Sequence, residues 1–323
     1  MVKAVRAQKS GGPEVMVYED IDLAPPGPGQ VQIKHTAIGV NFIDTYMRSG
    51  LYPTPTPFAP GNEAAGTIAA VGAGVTDFKI GDRVTYVIPG GGAYSEARNA
   101  PADRVVKLPD GITDKQAASM MLKGMTAQYL LRRTYKVQKG DTILFHAAAG
   151  GVGLIAGQWA QHLGAIVIGT VGSPEKAKLA HANGYAHTIL YRDTDFVAAT
   201  KAIIPEGVPV VYDSVGKDTF LKSLDCLRPL GLLASFGQSS GAVEPLNTGL
   251  LAAKGSLFLT RPTLFTYIAK KEDLVATANE LFDVVAKGIV KIETSAEYAL
   301  KDAVRCHTDL EGRKTTGSVI LVP

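Results

Sequence analysis

Cysteine is nearly absent from this chain: Cys226 and Cys306 are the only two in 323 residues. Two thiols cannot form a disulfide framework, and a four-ligand structural zinc site of the cysteine-rich type cannot be built from them. Charge of one sign is lacking too. The 33 lysines and arginines nearly balance 30 aspartates and glutamates, leaving a formal charge of +3. With no cluster of basic residues, neither nucleic acid nor a membrane surface is indicated as a partner. No stretch reaches the roughly 18 apolar residues of a spanning helix, and Met1-Val2-Lys3-Ala4-Val5-Arg6 has no apolar signal core, so the expected location is cytoplasmic. The histidines His35, His146, His162, His181, His187 and His307 are scattered without ligand spacing, so no metal site is expected. Only His146, beside the glycine turn described below, stands out.

Glycine, by contrast, is plentiful. Its 35 residues are about 11% of the chain against a usual figure near 7%. Hydrophobic residues make up 46% and charged residues 20%, as in an ordinary globular protein. The length is about twice a one-domain prior of roughly 150 residues, so two domains are expected.

The first 120 or so residues read as short strands separated by turns. Val31-Gln32-Ile33-Lys34 and Arg83-Val84-Thr85-Tyr86-Val87 alternate apolar and polar positions, and Gly72, Gly74, Gly81 and Gly90 to Gly92 supply turns. Near residue 125 the pattern becomes an alternation of strand and helix. Thr142-Ile143-Leu144-Phe145 is an apolar run, after which Val152, Ile155, Ala156, Trp159, Ala160 and Leu163 recur at helical spacing. Ala165 to Ile168, Thr188 to Tyr191, Pro209 to Tyr212 and Leu232 to Phe236 read as further strands. Such alternation implies a parallel sheet covered by helices. A helical pattern from Asp273 to Lys287 and a strand at Ser318 to Val322 close the chain, and this tail is expected to pack on the first domain.

Chemistry is concentrated at Ala147-Ala148-Ala149-Gly150-Gly151-Val152-Gly153, directly after a strand and at the opening of a helix. A dinucleotide pyrophosphate needs close backbone approach and a helix N-terminus with free N–H groups. Gly150 and Gly151 permit the approach, and Gly153 lets helix and strand pack tightly. The usual fingerprint carries a first glycine where this chain has Ala148. An NAD-specific site places a carboxylate about 20 residues further on, at the second strand tip. Here that tip reads Gly169-Thr170-Val171-Gly172-Ser173, with no acid, and Lys176 follows in the first turn of a helix capped by Ser173 and opened by Pro174. A cation is unfavourable there unless a bound anion compensates it. Ser173, Lys176 and Tyr191 therefore read as a pocket for an adenosine 2′-phosphate, and the cofactor as NADPH. Strand ends at Asp213-Ser214-Val215-Gly216 and Phe236-Gly237-Gln238-Ser239 read as nicotinamide-side contacts, notably Ser214, Phe236, Gly237 and Ser239.

Taken with Gly39-Val40-Asn41-Phe42-Ile43-Asp44, Gly61-Asn62-Glu63-Ala64-Ala65-Gly66, Gly81-Asp82-Arg83-Val84, Lys123-Gly124-Met125-Thr126-Ala127 and Tyr212-Asp213-Ser214-Val215-Gly216, these features resemble the medium-chain dehydrogenase/reductase superfamily, in its zeta-crystallin-like quinone oxidoreductase branch. The resemblance covers essentially the whole chain. It implies an α/β fold in which a Rossmann doubly wound parallel sheet is inserted in a β-rich GroES-like catalytic domain, with the active site in the cleft between them. Residues 1–124 would begin the catalytic domain, 125–260 form the Rossmann domain, and 261–323 complete the first. By family pattern the resemblance also implies cofactor contacts at Asn41, Thr126, Gly151, Val152, Ser173, Lys176, Tyr191, Ser214, Phe236, Arg261 and a basic residue near Arg313.

Zinc-dependent alcohol dehydrogenases of this superfamily use a cysteine in the first motif, where this chain has Val40-Asn41, and a histidine in the second, where it has Asn62. Neither zinc site can form from these residues. A reductase without a Lewis acid favours acceptors that delocalise the incoming electrons themselves, such as quinones and enones. The expected activity is an NADPH-dependent, zinc-independent quinone reductase. An alkenal or enone double-bond reductase, or a largely non-catalytic NADPH-binding protein, are the alternatives. Tyr46 and Tyr52 are the candidate catalytic residues, as ring-stacking and proton-delivering walls of the acceptor pocket, although packing in a proline-rich loop would use the same aromatics. Ser256-Leu257-Phe258-Leu259-Thr260 reads as an apolar edge strand, and a homodimer pairing two such edges is expected.

Overall fold

The structure, a computed structural model, describes all residues from Met1 to Pro323. Its strands in chain order are β1 (Val2–Ala7), β2 (Met16–Ile21), β3 (Gln30–Val40), β4 (Glu63–Val71), β5 (Arg83–Val87), β6 (Ala97–Pro101), β7 (Val105–Lys107), β8 (Thr142–Phe145), β9 (Ile166–Val171), β10 (His187–Leu190), β11 (Val208–Asp213), β12 (Leu227–Ser235), β13 (Phe258–Thr260), β14 (Thr294–Ala299) and β15 (Ser318–Val322). The helices are α1 (Phe42–Ser49), α2 (Asp114–Tyr129), α3 (Gly151–His162), α4 (Pro174–Ala182), α5 (Phe196–Ile203), α6 (Phe220–Asp225), α7 (Gly249–Ala253), α8 (Leu264–Tyr267), α9 (Lys271–Ala286) and α10 (Ala303–Glu311). No helix is long and apolar enough to cross a membrane.

Two compact units emerge: Met1–Lys123 with Ile268–Ala286 and Ile292–Pro323, and Gly124–Tyr267 with Lys287–Lys291. In the first, a seven-stranded sheet runs β14-β15-β3-β4-β5-β7, with β6 also on β3, and β1 pairs β2 separately. The long strand β3 shows why the alternating pattern forms a half-buried strand. Val31, Ile33 and His35 face inward, whereas Lys34 and Thr36 are exposed. Its apolar face joins Ile68, Tyr86, Tyr94 and Val319 in one core. Helix α1 lies in a stretch read from sequence as mainly β. Its signals are local: Asn41 at the N-cap, Asp44 three residues on, and Gly50 beyond the end at φ +85°.

The second unit is a six-stranded parallel sheet in the order β10-β9-β8-β11-β12-β13. Ile143, Leu144 and Phe145 of β8 are buried without alternation, as expected of a strand covered on both faces. Strand β12 starts at Leu227, five residues before the expected Leu232: Leu227 pairs with Val208 of β11, and the register then shifts so that Val210 pairs with Leu232. Cys226 caps α6 and Cys306 lies in α10. Both thiols are buried, free and pushed up to about 12 by desolvation, so they are packing residues.

Close backbone approach at Gly66 of β4 leaves no room for a side chain. A Cβ there would sit 2.0 Å from the Lys34 carbonyl oxygen, whereas one at Gly111 would meet nothing within 4 Å. Gly66→Ala is therefore expected to destabilise the fold by about 1–3 kcal/mol or more. Gly111→Ala should stay within about 0.5 kcal/mol. Urea unfolding of both variants checks the contrast; equal midpoints would contradict it.

Candidate functional site

Because β8 to β13 all run parallel, their carboxyl ends lie along one edge of the sheet. From β8 the chain steps outward to β9 and β10, then returns to β11 on the other side of β8. That reversal is the topological switch point at which open α/β sheets form their ligand crevice. The predicted cofactor residues of this unit fall along the same edge. Tyr191 follows β10, Ser173 and Lys176 follow β9, and the Gly150 turn follows β8. Ser214 follows β11; Phe236, Gly237 and Ser239 follow β12; Arg261 follows β13. Thr126 lies buried in α2.

At the turn, Gly150 is the N-cap of α3 and its N–H donates to the Ala147 carbonyl at 2.9 Å. The first N–H groups of a helix have no intrahelical acceptor and present a positive dipole end. Close packing at Gly153 is real: a Cβ there would lie 2.5 Å from Ala147 O and 2.6 Å from Ala148 O. The departure at Ala148 is accommodated by a glycine opposite. Ala148 Cβ packs on Gly169, where a built Cβ would be only 2.6 Å away.

At the next strand end, Ser173 caps α4, its Oγ accepting from the Lys176 N–H at 3.3 Å, and Pro174 occupies the first turn. No carboxylate sits on the tip of β9 itself. The first acid after it in the chain is exposed Glu175, its carboxyl held below the usual range by its own backbone N–H and then by Ser173. On the other side of β8, the Ser239 N–H donates to Ser214 O at 3.1 Å, and a Cβ on Gly237 would lie 2.7 Å from that same oxygen. Arg261 donates to Ser235 O at 3.0 Å.

The first unit carries Asn41, Tyr46, Tyr52 and Arg313. Asn41 ends β3 and caps α1; its Nδ2 donates to Glu63 Oε1 at 2.7 Å, committing one of two amide hydrogens. Glu63 is fully buried, and also accepts from the Leu122 N–H at 2.7 Å and from Lys123 Nζ at 3.4 Å. Gly39 makes room for this carboxylate, since a Cβ there would lie 2.3 Å from Glu63 Oε1. Tyr46 is buried on α1, and half-buried Tyr52 meets it edge-on with ring centroids 5.3 Å apart. The Tyr52 N–H donates to Tyr46 O at 2.9 Å, so both rings belong to one local turn. Arg313 lies exposed past the end of α10 at φ +58°.

Asn62 is buried, with Nδ2 donating to Asp44 Oδ1 at 2.7 Å and Oδ1 meeting no donor. No group of three or more histidines, cysteines and acids is arranged to hold a metal ion. Asp44 was not assigned a role from sequence, yet it organises the region. Its Oδ2 accepts from the Asn41 N–H at 2.9 Å and from Tyr94 Oη at 3.2 Å. Tyr94 Oη lies 2.9 Å from His307 Nε2, whose Nδ1 is 3.2 Å from Arg48 Nη1. Arg48 pairs with Glu311 at 2.7 Å. Since Arg48 can only donate, His307 Nδ1 accepts and Nε2 carries the proton. The local signal for Asp44 is its spacing three residues after an N-cap; Glu63 and Lys123 carry no such signal, because their partners come from distant segments.

Comparison with known proteins adds the following. Residues 27–110 match the family model described as alcohol dehydrogenase GroES-like domain, and residues 151–287 match that described as zinc-binding dehydrogenase. A quinone oxidoreductase of Pseudomonas aeruginosa is 53% identical over 326 residues, covering 100% of both chains. A 2-haloacrylate reductase of Burkholderia sp is 46% identical over 332 residues, covering 100% of this chain and 99% of the other. The crystal structure of Escherichia coli quinone oxidoreductase complexed with NADPH superposes with TM-score 0.98 at 50% identity, over 99% of this chain and 100% of that one.

Asp44 also generates a pH prediction. Burial pushes its carboxyl up to about 7, although its Asn41, Asn62 and Tyr94 donors pull the other way. The native state then keeps a proton that the unfolded chain releases near 4, so this group subtracts stability as pH rises from about 4 to about 7. His35 and His307, lowered to about 4 and about 3 mainly by burial, act oppositely, adding stability as pH rises towards 6.5. Asp44→Asn deletes only the first effect. Its stability relative to the parent should climb between pH 4 and 7 in urea titrations; a constant difference would refute the assignment.

Proposed function

The chain belongs to the zinc-free quinone oxidoreductases of the medium-chain dehydrogenase/reductase superfamily, and from that premise we propose that it transfers hydride from NADPH to a quinone without a metal. The observation that carries this reading is the sheet edge itself. A close-packed glycine turn opens α3 at the switch point, and a strand tip without a carboxylate leads into Ser173 and Lys176. These residues fit a dinucleotide with a 2′-phosphate. NADPH, when bound, supplies the hydride.

The chain's own residues bind and orient. Gly151 and Val152 offer backbone N–H groups to the pyrophosphate, and Gly150, with no side chain, lets it approach the turn. Ser173, Lys176 and Tyr191 receive the 2′-phosphate, and Ser214, Phe236, Gly237 and Ser239 face the nicotinamide half. Asn41, Thr126, Arg261 and Arg313 complete the proposed contacts. The Asn41 amide, oriented by Glu63, keeps one N–H for an acceptor oxygen. Tyr46 and Tyr52 form a wall for a planar ring, with a phenol as the proton source for hydroquinone formation. Proximity then carries most of the rate, because a quinone delocalises the incoming charge on its own oxygens.

A second reading, reduction of an activated carbon–carbon double bond, is favoured by the 46% identity to the 2-haloacrylate reductase. Product identification separates the two, since a hydroquinone and a saturated acid or ketone cannot be confused. The free, buried thiols suit a reducing compartment such as the cytoplasm. The sheet ends at β13, where Phe258 is 60% exposed, and pairing with the same strand of a second copy would cover it. Light scattering at micromolar concentration should therefore give a homodimer; a monomeric mass would reject that arrangement.

Two kinetic outcomes are expected. Oxidation of NADPH by a simple benzoquinone should proceed unchanged in the presence of a chelator. Lys176→Ala should raise the KM for NADPH about 10- to 100-fold, the worth of one charge-assisted hydrogen bond, and leave that for NADH almost unchanged. Parallel changes for the two cofactors would sink the phosphate assignment.

A further inference from the structure

A second buried polar chain lies behind the strand ends. His146, directly after β8, has no exposed surface, and its backbone N–H donates to Tyr212 O at 2.9 Å across the switch point. Its Nδ1 is 2.9 Å from Thr170 Oγ1 on β9, and its Nε2 is 2.9 Å from Ser223 Oγ on α6. Ser223 Oγ lies 2.9 Å from Thr219 O and 3.3 Å from Asp213 Oδ2. Whichever of these acceptors takes the single hydroxyl proton of Ser223, Nε2 must carry a hydrogen and donate to that oxygen, and Nδ1 must accept from Thr170. Burial holds the ring neutral, as this arrangement requires.

Asp213 is the far end of the chain. Its Oδ1 accepts from the N–H groups of Val215 at 2.7 Å and Gly216 at 3.1 Å, and the Thr219 hydroxyl lies 2.9 Å from Oδ1 and 2.8 Å from Oδ2, its one hydrogen directed at the carboxylate. Its backbone carbonyl accepts from the Phe236 N–H at 2.7 Å. One residue thus holds two loops, Ser214 to Gly216 with its side chain and Phe236 to Gly237 with its main chain. Both loops carry proposed nicotinamide-side contacts, and neither Asp213 nor His146 points to solvent.

We infer that His146 is a positioning residue: by anchoring Ser223 against Thr170, it fixes the Asp213 carboxylate that sets the loops receiving the nicotinamide half of the cofactor. This rests on the cofactor reading above. The chain joins β9, β11, α6 and the residue that follows β8, and every member has a partner, so it fixes one arrangement of the strand ends rather than merely filling space. A fully apolar replacement could fill the same volume, but Ser223 would then lose the donor that turns its hydroxyl towards its acceptors, and Asp213 Oδ2 would keep only Thr219 beside it.

Cofactor binding without turnover tests it. His146→Leu and the milder Ser223→Ala are titrated with NADPH, NADH and 2′,5′-ADP, the last carrying only the adenosine phosphate end. Both variants are expected to raise the Kd for NADPH and NADH by the same factor, about 10-fold for one buried hydrogen bond, and to leave 2′,5′-ADP within about 2-fold. His146→Gln, which retains a donor and an acceptor, should recover part of the loss. The inference is overturned if all three affinities stay unchanged in Ser223→Ala and His146→Leu while unfolding midpoints fall, or if 2′,5′-ADP weakens as much as NADPH. Lys176→Ala provides the separate check on the cofactor reading: it should weaken NADPH and 2′,5′-ADP but not NADH, whatever the His146 variants do.

Discussion

Three carboxylates, Asp44, Glu63 and Asp213, are withdrawn entirely from water, and each can be buried only because the surrounding chain turns donors towards it. The donors are not incidental groups. Asp44 is served by the N–H of Asn41, Glu63 by the Asn41 amide and the Leu122 N–H, and Asp213 by the N–H groups of Val215 and Gly216. In every case they belong to the segment that carries proposed site residues. Satisfying the acid and shaping the loop are therefore one requirement, and a loop that relaxed would leave a buried acid without partners.

Close approach is the second constraint, and it depends on missing atoms. Gly39 leaves space for Glu63, Gly237 lets its loop lie against Ser214, and Gly153 brings α3 onto the strand that precedes it. Ala148 shows how such a demand can be met from either side. The turn has a β-carbon where a glycine is usual, and Gly169 on the neighbouring strand gives up its own to compensate. The excess of glycine noted in the composition is in part a record of these contacts.

How far this was legible beforehand depends on the range of each interaction. The strands of the second unit were readable because a parallel sheet covered on both faces needs continuous apolar runs, and Ile143 to Phe145 is one. The α4 cap was readable because Ser173, Pro174 and Lys176 act on one another within a single turn. Helix α1 was missed among strands, although Asn41, Asp44 and Gly50 are ordinary end signals, because the flanking proline-rich and alternating segments suggested extended chain. The start of β12 was misplaced because it is set by pairing with Val208 on a neighbouring strand, which no local pattern carries.

From the sequence alone follow the strand-turn-helix at Gly150, the missing carboxylate at the tip of β9, and the absence of zinc ligands at Val40, Asn41 and Asn62. Each is a matter of residue identity or of spacing over a few positions. Only the tertiary structure decided that Glu63 would meet Asn41 and Lys123, that Asp44 would reach His307 through Tyr94, and that His146 would lie between Thr170 and Ser223. Those pairs are separated by up to 213 positions, in the case of Tyr94 and His307. Periodicity cannot encode them, because a buried polar group finds its partner by where the sheets bring distant segments, not by what stands next to it in the chain.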